Sequence, residues 1–84
     1  MKPRRTEHQR EIMGLVIKAA NDGKFLMQSQ IHALLSYSAE VTFGATRTSI
    51  RYLEEQGMLQ RVPNGFQRDL VPTNRGYDWF RPAM

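Results

Sequence analysis

The sequence predicts a small, mainly helical α+β domain: a three-helix core, one short strand, a β-hairpin and a short final helix. Three observations predict it. Apolar residues recur at helical spacing in three separate stretches, the first and third closed by a glycine and the second by an aperiodic turn. Two strand-like runs, 60–62 and 66–71, flank the turn signal Pro63-Asn64-Gly65. The chain of 84 residues contains no cysteine, so neither a disulfide framework nor a thiolate zinc site supports the fold, and packing must hold it together.

The elements follow in order. Residues 1–5 place Lys2, Arg4 and Arg5 around a proline ahead of any periodic pattern, which reads as a flexible basic arm before one domain over 6–84. Thr6 with Gln9 has capping-box spacing, and Ile12, Met13, Val16, Ile17 and Ala20 then share one helical face until Asn21-Asp22-Gly23 stops it. The stretch 24–27 is too short for a helix and reads as a brief strand or extended connector. A second helix from Gln28 or Ser29 presents Ile31, Leu34 and Leu35, and 36–41 reads as a turn. Thr42 is a good N-cap for the third helix, over 42–56, whose inner stripe is Phe43, Thr46, Ile50 and Leu53, with Gly57 as its stop. In the hairpin, Pro63 suits the first central position of a type I turn and Gly65 the left-handed position after it. A three-residue loop is therefore expected rather than a two-residue Asn-Gly loop, which would ask Pro63 for a ladder N–H it lacks. Pro72-Thr73 caps a last helix carrying Tyr77, Trp79 and Phe80, which read as cover for the core.

Composition narrows the partners. Twelve Lys and Arg against eight Asp and Glu give +4 and a pI near 10.0, favouring a polyanion. The longest apolar run near the N-terminus is Leu15-Val16-Ile17, too short for a signal peptide core or a membrane span, so a cytoplasmic location is expected.

The stretch Ile50-Arg51-Tyr52-Leu53-Glu54-Glu55-Gln56-Gly57-Met58-Leu59-Gln60-Arg61 resembles the end of the recognition helix and the start of the wing in bacterial winged helix-turn-helix regulators. Leu70-Val71-Pro72-Thr73-Asn74-Arg75-Gly76 is similar to the family's passage from the second wing strand into a Thr-x-x-Gly helix start. The resemblance implies a winged helix-turn-helix fold whose third helix enters the major groove while the hairpin meets the backbone or minor groove. Two departures stand out: the connection from Leu35 to Thr42 is longer than the family's tight turn, and the long extra helices of larger members are missing.

On that reading the candidate DNA contacts are these. With Ile50 inward, the wheel turns Gly44, Ala45, Thr48, Tyr52 and Glu55 outward and sets Arg47, Ser49 and Arg51 on the flanks; Thr42 stands at the front of the same surface. No acid lies between Val41 and Leu53, Gly44 and Ala45 leave room for close approach, and an Arg can bind guanine bidentately. Arg61, Asn64 and Arg68 would serve the wing, Lys2, Arg4 and Arg5 a minor groove, and Ser29 a phosphate. The competing readings are a solvated polar helix face and an ordinary edge hairpin. The expected partner is double-stranded DNA, bound by a transcriptional regulator such as a repressor or by an accessory factor. A homodimer joined through helix 1 or the C-terminal aromatics is compatible with it. The alternative is a protein-docking winged helix, such as an inhibitor or assembly factor; single-strand binding would instead use Tyr52 and Phe66 as stacking surfaces. No enzyme, metal, cofactor, membrane or small-molecule substrate is expected. His8 and His32 stand alone in sequence, Glu54 and Glu55 diverge on a helix, and Gly65 and Gly76 are isolated rather than part of a phosphate loop.

Overall fold

The computed structural model describes residues 5–35 and 41–80, with side chains from residue 7 onward. They form α1 (Arg5–Asn21), α2 (Gln28–Leu34), α3 (Phe43–Glu55), β1 (Leu59–Asn64), β2 (Gln67–Pro72) and α4 (Asn74–Phe80). The result is a small α+β arrangement, mostly helical, with one two-stranded antiparallel hairpin. Lys2, Arg4 and most of the stretch 36–41 lie outside the described residues. Arg5 is already helical, and Thr6 lies inside α1 rather than capping it.

α1 carries the core. Its Ile12, Met13, Val16 and Ile17 are buried together with Ile31 and Leu35 from the α2 region, Ile50 and Leu53 from α3, and Leu59 and Leu70 from the hairpin. Tyr77, Trp79 and Phe80 of α4 are half-buried against this cluster, as core cover should be. Two expected core residues are exposed instead. Leu34 is 56% exposed, because α2 ends there and Leu35 makes the inward contact in extended backbone; Phe43, in the first turn of α3, stays outside and packs edge-on against the His32 ring at 5.5 Å.

Both glycine stops act as the sequence indicates. Gly23 and Gly57 each have φ 76°, and after each the chain closes the same pair of bonds: Lys24 N–H to Ala19 O at 2.8 Å with Gly23 N–H to Ala20 O, and Met58 N–H to Leu53 O at 2.9 Å with Gly57 N–H to Glu54 O. This satisfies the last free carbonyls of α1 and α3. Thr42 caps α3, its Oγ1 accepting from Ala45 N–H at 3.0 Å. At α2 the cap is Met27, whose N–H donates to Gln30 Oε1 at 2.8 Å, and Ser29 is an exposed residue inside the first turn. α4 is fixed by Thr73: its hydroxyl donates to Gly57 O at 2.6 Å and accepts from Gly76 N–H at 3.1 Å. Its own N–H donates to Met58 O at 3.1 Å. Gly76 thereby lies directly on the Met58 carbonyl, where a Cβ would overlap that oxygen and stand 2.8 Å from Met13 Cε.

The hairpin corrects the expected loop. The register pairs Leu59 with Pro72 and closes at Asn64 with Gln67, leaving Gly65 and Phe66 as a two-residue turn. Gly65 has φ 64° and no non-glycine residue among the described residues has positive φ, the type II′ requirement. A turn at Gly65-Phe66 also frees the prolines. Counting back from the bonded Asn64–Gln67 pair, Pro63–Arg68 and Leu59–Pro72 fall at non-hydrogen-bonded positions, so neither proline is asked for an N–H. Leu70 occupies the same class of position, and its N–H turns away from β1 to Leu26 O at 2.9 Å. That single bridge is all that remains of the expected third strand. Beyond it, residues 62–68 are all exposed.

Candidate nucleic-acid interface

Three exposed guanidinium groups line one groove: Arg47 and Arg51, one helical turn apart on α3, and Arg68 on β2. None of the three has an acidic partner among the described residues. Gln28 at the start of α2 and Glu54, Glu55 and Arg61 complete the lining. The acid-free front of α3 thus opens onto the same space as the hairpin flank, an association of residues far apart in sequence.

Arg61 plays a different part from the one expected. Its Nε donates to both Glu54 carboxylate oxygens, at 2.9 and 3.0 Å, and its Nη2 reaches Gln28 Oε1 at 3.4 Å. The ion pair cancels the charge of Glu54 and ties the last turn of α3 to β1. Arg61 therefore braces the groove rather than extending from the hairpin. Asn64 is likewise engaged, donating from Nδ2 to Asp69 Oδ2 at 3.1 Å across the hairpin, with Asp69 buried.

On α3, Gly44, Ala45 and Thr48 are exposed as expected, but the Thr48 hydroxyl donates to Gly44 O at 3.0 Å and so offers only acceptor capacity outward. Thr42 is exposed with its oxygen committed to the helix cap. Tyr52 is half-buried against the core, which deprives a single-strand stacking platform of one of its two rings.

Ser49 is the clearest displacement. It is 5% exposed, with its Oγ 3.3 Å from His8 Nδ1. His8 Nε2 lies 3.5 Å from Thr46 Oγ1, which in turn lies 2.8 Å from His32 Nδ1. The two histidines are brought to one hydroxyl, and a polar seam joins α1, α2 and α3 behind the groove. Sequence periodicity turns Thr46 inward but cannot supply its partners, which come from two other helices.

Burial holds the His8 pKa below its ordinary 6.5, helped by neighbouring His32 and opposed by the Glu11 carboxylate. The unfolded chain therefore takes up a proton near pH 6.5 that the folded chain resists, so stability is intact above that pH and declines as pH falls below it. Urea midpoints measured from pH 8 to 5 should drop most steeply below about pH 6.5, and His8→Gln should flatten that drop. An unchanged profile would show that His8 is not the group responsible.

No family model matches the chain, and no curated protein does. Among solved structures, the crystal structure of AF1382 from Archaeoglobus fulgidus is similar, with a TM-score of 0.74 at 16% identity over 88% of this chain and 77% of that one. At that identity the likeness concerns the fold alone: the backbone arrangement of this chain is shared with a protein of very different sequence.

Proposed function

We propose that this chain is a winged helix-turn-helix protein that binds double-stranded DNA sequence-selectively, α3 lying in the major groove and the hairpin meeting the backbone or minor groove. The supporting observation is the groove in which Arg47, Arg51 and Arg68 converge from two elements without acidic partners among the described residues. Arg47 and Arg51 stand where a helix in the groove presents side chains to base edges, and Arg68 where a wing meets phosphate. Gly44 and Ala45 allow the start of α3 to approach closely. The role that follows is cytoplasmic transcriptional regulation, such as repression, or accessory DNA binding. One α3 reads only a few base pairs, so two copies on half-sites about 34–36 Å apart provide the site length that selectivity needs.

Fluorescence anisotropy with a pool of random duplexes tests this reading. With Arg68 on phosphate, log affinity should fall against log salt with a slope of about −0.9 or steeper, each further phosphate contact adding about 0.9. Absence of binding at low salt, or a flat salt response, would sink the proposal. A protein-docking module is the reading favoured by the exposed Leu34 and Phe43, and a stoichiometric partner retained after nuclease treatment would support it instead.

A further inference from the structure

The hairpin tip carries a side chain without a task in the reading above. Phe66, the second residue of the Gly65-Phe66 turn, has a relative exposure of 110%, so nothing in the fold packs against its ring. Aromatic side chains supply large contact areas at interfaces, and a ring held wholly in water at the tip of a hairpin is placed to meet a partner. The turn that presents it is built rather than slack. Asn64 bonds Asp69 diagonally across the two strands at 3.1 Å just behind the tip, and the ladder runs without interruption to the Asn64–Gln67 pair.

The surroundings of Phe66 select the chemistry of that partner. From residue 62 to 68 the only charge is Arg68, and the nearest acid, Asp69, is buried and bonded to Asn64. Arg68 lines the same groove as Arg47 and Arg51, so the tip continues a cationic surface. The partner must offer a flat apolar slot one ring wide beside negative charge. A base step of DNA, flanked by phosphates, meets both demands. A membrane would be met by a single ring and one cation, too little for stable anchoring.

We propose that Phe66 is a wedge that enters a base step of the DNA bound by α3 and the hairpin and partly unstacks it. This rests on the DNA-binding reading. Apolar wedges act in this way where a protein can recover the unstacking cost, and that cost is smallest at a mismatch or a flexible pyrimidine–purine step. The wedge therefore gives the protein a preference for deformable sites that no base-edge hydrogen bond would produce.

The test compares the full chain, Phe66→Ala, Phe66→Trp and the Arg47→Ala/Arg51→Ala pair on two duplexes of about 30 base pairs, identical except for one central mismatch. Wild type and Phe66→Trp should bind the mismatched duplex about tenfold more tightly than the paired one, within the range of one base–aromatic stack. Phe66→Ala should lose that preference, keep its affinity for the paired duplex within about threefold, and melt at the wild-type temperature, since the ring touches nothing in the fold. The double arginine variant should weaken on both duplexes alike, which separates the groove from the wedge. A preference that survives in Phe66→Ala, or none in wild type, overturns the wedge while leaving DNA binding standing. If no protein binds either duplex at low salt, the DNA reading falls and the wedge with it. Phe66-dependent retention on phosphatidylserine vesicles with no mismatch preference also overturns it.

Discussion

Gly76→Ala should lower stability by about 3 kcal/mol or more, taking the melting temperature down by roughly 12 °C or further for a domain of this size. Two effects oppose each other at this position, and their magnitudes decide the sign. Within a helix, alanine is favoured over glycine by roughly 0.5–1 kcal/mol. Against that, the new Cβ would overlap the Met58 carbonyl oxygen and crowd its carbon at 3.2 Å. Met13 Cε belongs to a flexible side chain and can move, but the Met58 carbonyl cannot. It accepts from Thr73 N–H at 3.1 Å, and Met58 N–H is itself closing the end of α3. Relief therefore requires α4 to lift from the α3–β1 connection, with loss of the Tyr77, Trp79 and Phe80 cover. Thermal and urea denaturation measure this directly. A change within 1 kcal/mol of wild type, or a stabilisation, would mean that α4 has more freedom than its bonds to Gly57 and Met58 indicate.

Arg47→Ala and Arg51→Ala should each weaken DNA binding by about 1–3 kcal/mol, between roughly fivefold and a hundredfold, if each side chain reads a base bidentately. Arg61→Ala supplies the contrast. Its guanidinium is already held by Glu54, so its loss should appear as roughly 0.5–1 kcal/mol of folding stability, with duplex affinity within about threefold of wild type. Binding isotherms and urea melts on the same three proteins would separate the roles. Equal losses of affinity for all three would show a diffuse electrostatic surface rather than an interface with α3 at its centre. Arg47 and Arg51 variants that bind unchanged would remove α3 from the interface altogether.

What the sequence reveals depends on how local the physics is. Gly23, Gly57, Thr42 and Thr73 mark helix ends within a few residues of the groups they satisfy, and each is found at such an end. The 3.6-residue period also identifies Ile12, Val16, Ile50 and Leu53 as inward. Errors begin where the partner is remote. Ser49 sits beside Ile50 on a flank that looks solvent-facing until His8 of α1 is brought against it. Arg61 looks like a free wing cation because its partner Glu54 precedes it across a helix stop, where no i, i+4 rule applies. The turn is the two-residue Gly65-Phe66 rather than the three-residue loop 63–65 for a subtler reason. Pro63 rightly excludes an Asn64-Gly65 loop, but it is equally content one position farther out, in a non-hydrogen-bonded pair facing Arg68. The convergence of Arg47, Arg51 and Arg68 belongs to the same class, since it exists only once the hairpin folds back beside α3.

The single bond from Leu70 to Leu26 gives the hairpin the mechanics of a cantilever. It is clamped to the helical body at that bridge, at the core contacts of Leu59 and Leu70 and through the Arg61–Glu54 pair, while residues 62–68 beyond overhang in solvent. Five residues separate Leu70 from Gly65, an overhang of roughly 17 Å at about 3.3 Å per residue. A rotation of a few degrees at the clamp moves the tip by about an ångström or more while leaving α3 where it is. Geometry alone thus lets the two halves of the surface adjust separately, one rigidly seated in the core and the other able to follow variation in whatever lies beneath it.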